Sequence, residues 1–254
     1  MRTVRATRYL TPLREGGSVP AIIEADDDGT YVAKFRGAAQ GAKTLIAEII
    51  CGELARMLGL PVPQLVRVEL DVLLSKSEPD PELQELLRSS AGLNVGLDYL
   101  PGALNWEPPL APPPDRELAA QVVWFDALIT NVDRTAKNPN MLIWHRRLHL
   151  IDHGAALYFH HQWEGHLERA RGPFSPIRSH ALLPLAGDLA AADALLAPKI
   201  DEAGLRAILT EVPDEWLTAE ATPDATRAGY VEHLLARLES PRAFVEEAIR
   251  AQRV

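Results

Sequence analysis

Three residues in one short stretch have the types and the spacing for phosphoryl transfer. Asp133 is followed five residues later by Asn138, and Asn138 fourteen residues later by Asp152, which opens an Asp-His-Gly sequence. Moving a phosphoryl group onto a hydroxyl needs a carboxylate to accept or orient the nucleophile's proton. It also needs two oxygen ligands that hold magnesium on the phosphates. An Asp, an Asn five residues on and a later Asp-x-Gly supply those groups in order. Asn, Asp and Pro also form turns, so each piece alone reads equally well as a surface loop. The chemistry rests on finding both pieces, in order, around an expected hairpin.

A second set lies earlier in the chain. Tyr31-Val32-Ala33-Lys34-Phe35 reads as a short strand with Lys34 among apolar neighbours. A strand lysine can hold the α- and β-phosphates when a helix glutamate orients it, although a lone strand lysine more often snorkels to the surface. The helix that follows offers Glu48 and Glu53. At about 100° per residue, Glu53 falls within the arc of Leu45, Ile46 and Ile49, whereas Glu48 sits at its edge. Periodicity leans towards Glu53 without deciding the matter. Gly16-Gly17-Ser18 precedes the strand pair, and its two glycines would let backbone amides approach a phosphate. It matches neither glycine-rich nucleotide motif, and such a turn between strands is commonplace.

These residues need elements to hold them. Residues 20–25, 30–35 and 65–74 read as strands, the first two joined by Asp26-Asp27-Asp28-Gly29. Residues 43–58 read as a helix stopped by Gly59, with Pro61 just beyond. Six of the 20 prolines fall in residues 101–114, which reads as a semi-rigid connector. Beyond it the pattern is mainly helical, over 115–131, 183–196, 201–209 and 226–254. Short strands are expected at 140–144 and 148–151, around the turn His145-Arg146-Arg147. The expected fold class is α+β: a small lobe at 1–100, the connector at 101–114 and a larger helical lobe at 115–254.

Composition excludes several classes. Hydrophobic residues make up 47% and charged residues 24% of the 254, so the chain can build a core and is not disordered. The net charge of −9 repels nucleic acid and anionic lipid. The single cysteine, Cys51, cannot form an internal disulfide. No apolar run approaches the ~20 residues of a membrane span, and no signal-peptide pattern opens the chain, so a cytoplasmic protein is expected. Six histidines between His145 and His166 invite a zinc reading, but no His-Glu-x-x-His pattern or cysteine partner accompanies them. Arg169, Arg171 and Arg178 read either as a solvated loop or as a loop that pairs with phosphate or an acidic substrate.

The segment N-V-D-R-T-A-K-N at 131–138 resembles the N-x-D-x-H-A-K-N catalytic loop of HipA-like serine/threonine kinases, relatives in fold of the phosphoinositide kinases. Residues 47–63, A-E-I-I-C-G-E-L-A-R-M-L-G-L-P-V-P, are similar to that family's helix N-E-x-L-x-x-x-L-A-x-x-x-G-L-x-V-P. The likeness covers residues 16–156. It implies a two-lobed protein-kinase-like fold and selects Glu48 over Glu53 as the partner of Lys34. By the same likeness Lys34 is the ATP-contacting lysine, Asp133 the catalytic base, and Asn138 and Asp152 the magnesium ligands. Gly16, Gly17 and Ser18 would cover the phosphates, and Asp98, Tyr99 and Leu100 would sit by the adenine.

The implied activity is ATP- and Mg2+-dependent transfer of the γ-phosphoryl group to a hydroxyl, with a protein Ser/Thr as acceptor. The alternatives are a small-molecule phosphotransferase of the aminoglycoside type and a nucleotide-binding regulatory protein. Thr135 stands where the family loop has histidine, and His153 where typical protein kinases have phenylalanine. The chain begins almost directly at the glycine segment, so a toxin-like role under antitoxin control is not expected.

Overall fold

The computed structural model describes residues 1–13, 19–38, 41–108 and 111–253. Strands β1 (Thr3–Pro12), β2 (Ala21–Ala25) and β3 (Thr30–Lys34) lead into helix α1 (Ala42–Leu58), followed by β4 (Leu65–Leu70), α2 (Pro81–Ser89) and β5 (Gly92–Asp98). The five strands close into a barrel in the order β1-β2-β3-β5-β4. Its β1–β4 pair is parallel and its other pairs are antiparallel. Period-2 alternation sets the faces of β3. Tyr31 and Ala33 point into the barrel core with Ile23, Val66 and Val68, while Val32 and Lys34 face a cleft outside it.

Helix α1 ends where Gly59 takes the left-handed conformation, φ 83°, and its amide reaches Arg56 O at 3.0 Å. The helix is buried nearly all round, with Ile46, Ala47, Ile49, Ile50, Cys51 and Leu54 almost fully shielded. It belongs to the larger core, which also takes in the outer side of the barrel at Leu65, Val95 and Leu97.

The rest of the chain supplies β6 (Leu104–Asn105), α3 (Arg116–Leu128), β7 (Met141–Trp144), β8 (Arg147–Leu150), α4 (His166–Ala170), α5 (Leu189–Leu196), α6 (Glu202–Leu209), α7 (Pro223–Leu238) and α8 (Ala243–Gln252). Strands β6, β7 and β8 form a small antiparallel sheet. Among the described residues helix accounts for 45% and strand for 19%, an α+β composition.

Several elements differ from the sequence expectation. The strand expected at 65–74 stops at Leu70, because Asp71 caps a 3-10 turn over Val72–Ser77 by accepting from Leu73 N. The helix expected at 183–196 is a 3-10 turn followed by α5, which starts at the cap Asp188. The helix expected at 226–254 is two helices, since Pro241 cannot continue α7. Strands β1 and β5 and helix α2 were not expected. Residues 101–114 contain β6, and Trp106 is buried there with its indole N–H donating to Pro112 O at 3.2 Å.

Candidate active site

Between the barrel and the β6–β8 sheet lies a cleft of about 650 Å3. It brings together Lys34, Asp98, Tyr99, Leu100, Asn138 and Asp152, which are spread over more than a hundred positions of sequence. Tyr99 N donates to Thr30 O at 3.0 Å and Asp98 N to Gln64 O at 2.8 Å, which fixes the segment leaving β5. Gly16, Gly17 and Ser18 lie outside the described residues. The chain on either side of them, Pro12, Leu13 and Pro20, lines the same cleft, and Leu13 N bonds Pro20 O at 2.7 Å.

The Lys34 ammonium is shielded from water and donates to two carboxylates. It bonds Glu48 Oε1, and it reaches Asp152 Oδ1 at 2.7 Å. Burial drives its pKa down, but the two carboxylates outweigh burial and hold it above the ordinary lysine value. Burial also raises the Glu48 carboxyl, which is wholly enclosed, against the opposing charge of Lys34. Asp152 is less enclosed. Burial pushes its carboxyl up, yet the Lys34 charge and hydrogen bond prevail and bring it to about 2. Asp152 is thus ionised around neutral pH.

Glu53 is not the inward carboxylate: its side chain is 22% exposed and pairs with Arg56 at 3.7 Å. Glu53 lies with Arg56 and Met57 on the more exposed strip of α1, and the lean towards it fails because most of the rest of the helix is buried, so its apolar arc is too broad to mark one inward face. Gly154 also belongs to this corner. A Cβ there would meet Thr44 Cγ2 at 2.4 Å and Glu48 Oε1 at 3.3 Å, so only glycine lets the Asp152 loop approach α1 this closely.

Asp133 sits on the loop after α3. Its Oδ2 accepts from Asn138 Nδ2 at 2.8 Å and from Asn140 Nδ2 at 3.1 Å, and its amide donates to Asn131 Oδ1 at 3.1 Å. The bond from Asn138 Nδ2 holds the Asn138 side-chain amide against Asp133. Asp133 does not itself line the cleft; Asn138 and Asn140 do.

Beneath this loop is a buried network that the sequence did not reveal. Asp126 of α3 accepts from Arg134 Nε at 2.6 Å, His180 Nε2 at 2.8 Å and Asn131 Nδ2 at 3.0 Å. His180 Nδ1 accepts from Leu182 N at 3.1 Å, so its proton lies on Nε2. Burial would raise the Asp126 carboxyl, but the Arg134 guanidinium and the His180 bond hold it well below the usual carboxylate range. Arg134 also bonds Asn140 O and reaches Ile151 O at 3.2 Å. One guanidinium therefore ties the Asp133 loop to both ends of the β7–β8 hairpin, next to Asn138 and next to Asp152. An acid within the apolar run Val122–Leu128 was the sequence signal for this network.

His153 is buried edge-to-face against Phe125, with ring centroids 6.0 Å apart. Burial, aided by Arg134, pushes its pKa down to about 3, so it is neutral. The other histidines sort into aromatic packing. His145 and His149 flank Trp144, while His166 and His233 pack on Phe159. Among the described residues, no group of three or more His, Cys, Asp or Glu side chains is placed to hold a metal. Arg171 is paired with Glu239 through two bonds of 2.7 and 2.9 Å, and Arg169 Nη1 bonds Glu164 O at 2.9 Å.

The donor set fits magnesium. Asp152 and Asn138 offer hard oxygen atoms in one cleft, and magnesium is commonly held by one or two such side chains with phosphates and water completing its shell.

A buried lysine held by a helix glutamate, above an Asp/Asn loop and a strand-end Asp, defines a phosphotransferase of the kinase class. The chain belongs to the HipA-like kinase family, whose profile matches residues 7–246. It is similar in structure to the Helicobacter pylori proinflammatory kinase CtkA, with a TM-score of 0.59 and 12% identity over 98% of this chain and 97% of that one. A Golgi casein kinase aligns with a TM-score of 0.44 and 14% identity over 96% of this chain and 74% of that one. No curated protein matches the chain in sequence. The protein is a kinase, and membership of this family implies ATP as its nucleotide. Among the described residues, no helix is long and apolar enough to cross a membrane.

Proposed function

We propose that the protein transfers the γ-phosphoryl group of ATP, in a Mg2+-dependent reaction, to a serine or threonine hydroxyl of a protein. The observation that carries this reading is Lys34 bonded at once to Glu48 and Asp152 at the wall of the cleft that Asn138 also lines. Lys34 positions the α- and β-phosphates, and Glu48 keeps it extended for that task. Asp133 accepts the proton of the attacking hydroxyl as the new O–P bond forms and the bond to the departing ADP oxygen breaks. Asn138 and Asp152 hold the cation. Bound Mg2+ supplies charge neutralisation on the phosphates.

On this reading residues 1–100 bind the nucleotide, 101–114 connect, and 115–254 carry the base and the metal ligands. The reaction takes place in the cytoplasm, and the net charge of −9 supports acceptors other than nucleic acid.

The test is incubation with γ-labelled ATP and Mg2+, with and without a mixture of candidate acceptor proteins. Label on protein Ser/Thr is expected. Label on a small molecule would replace the acceptor class with an aminoglycoside-type substrate. ATP binding without any transfer would make the protein a nucleotide-dependent regulator.

A further inference from the structure

The β6–β8 sheet has a second concave face. On β7, Leu142 lines the nucleotide cleft, while the next residue, Ile143, lines a groove of about 570 Å3 on the opposite side. Leu118, Leu148 and Pro61 complete its apolar floor. One wall is the proline run Pro112–Pro114, held in place by the bond from the buried Trp106 indole to Pro112 O. The floor is anchored as well, since Leu150 N donates to Pro61 O at 2.7 Å.

The opposite rim carries Arg146 and Arg147. Both are exposed, and among the described residues neither guanidinium has an ion-pair or hydrogen-bond partner. This is unusual company in a chain of net charge −9, in which most other arginines are paired with carboxylates. The two-residue turn that presents them places His145 at φ 46° and Arg146 at φ 63°. Side chains other than glycine, asparagine or aspartate seldom adopt such angles. Among the described residues the one acid lining the groove, Asp115, is committed to the first turn of α3, where it accepts from Glu117 N at 2.7 Å.

We propose that this groove docks an extended acidic segment of a partner protein, with apolar side chains on the floor and carboxylates on Arg146 and Arg147. The fixed proline wall and floor make the site pre-formed, so little ordering entropy opposes binding. Charge complementarity favours an anionic segment over a basic one, and a concave groove of about 570 Å3 suits a polypeptide segment better than a flat lipid surface. The site is separate from the nucleotide cleft and can be measured without ATP or transfer, so its failure would leave the kinase reading intact.

The experiment is fluorescence anisotropy of the full chain with a labelled dodecapeptide of alternating Glu and Leu, and with its Lys/Leu counterpart. Micromolar binding of the Glu/Leu peptide is expected, weakening as salt rises and at least tenfold weaker in R146E/R147E. The charge-matched variant R88E/R206E, altered on exposed helix faces, should bind like the wild type, and ATP binding and melting temperature should be unchanged in R146E/R147E. Equal binding of the Lys/Leu peptide, equal loss in R88E/R206E, or no effect of R146E/R147E would overturn the proposal. So would sedimentation showing a dimer that R146E/R147E abolishes, because the occupant would then be a second copy. Binding to phosphatidylserine vesicles in place of the peptide would overturn it too.

Discussion

Arg134 Nε lies 2.6 Å from Asp126 Oδ2, and neither side chain is touched by solvent. This pair is the foundation of the candidate site, because the same guanidinium grips the backbone on either side of the β7–β8 hairpin. Removing one partner of a buried pair leaves an uncompensated charge and costs about 3–5 kcal/mol. Arg134→Met should therefore lower unfolding free energy by about that amount in urea titration. A loss below about 1 kcal/mol, the range of surface pairs, would show that the pair does not hold the loop.

The proposed base and the proposed metal ligand should separate in mutant kinetics. Asp133→Ala should reduce transfer by about 10^2–10^4 fold, with ATP affinity changed only a few fold, because Asp133 stands outside the cleft lining. Asp152→Ala should weaken Mg·ATP binding itself, since it removes both the proposed metal ligand and a partner of Lys34. Wild-type transfer in Asp133→Ala would remove its assignment as the base.

Acidification should destabilise the protein well above the carboxylate range. Burial holds His160 and His233 at about 3, against the ordinary histidine value of about 6.5. These groups are neutral in both states above pH 6.5, so nothing is lost there. Between 6.5 and 3 the unfolded chain takes up protons that the folded chain refuses. Stability then falls by up to about 1.4 kcal/mol per pH unit for each histidine. Asp126, held low, adds its own loss only as pH drops below its unfolded value near 4. His233→Phe, which keeps the stacking on Phe159, should flatten the decline between pH 6.5 and 4.5 in thermal melts. An unchanged slope would mean that His233 protonates freely in the fold.

Gly154→Ala should disturb Lys34 without touching it. The new methyl would meet Thr44 Cγ2 at 2.4 Å, and threonine is stiff, so the Asp152 loop and α1 must part. Overpacking of this kind costs about 1–3 kcal/mol, and ATP affinity should fall with it. Thr44→Ser removes the opposing methyl while keeping the hydroxyl, so the double variant should recover much of both losses. Failure to recover either would place the defect elsewhere.

The proposed catalytic loop was legible in the chain because the chemistry assigned to it depends on residue types at short fixed spacings. Asp133, Asn138 and Asp152 stand at intervals set by one loop and one hairpin, and the sequence shows both. The strand at Lys34 and the helix stop at Gly59 were equally local, fixed by alternation and by a left-handed cap. What the sequence left open depended on burial. Periodicity did not separate Glu48 from Glu53; the family likeness chose Glu48, and the packing of α1 between the barrel and the helical core is what brings Glu48 to Lys34. Asp126, Arg134 and His180 converge from separate elements, and nothing in their spacing reveals it. Their partners are chosen by tertiary contact, since a buried charge can be stable only where the fold delivers its counter-charge.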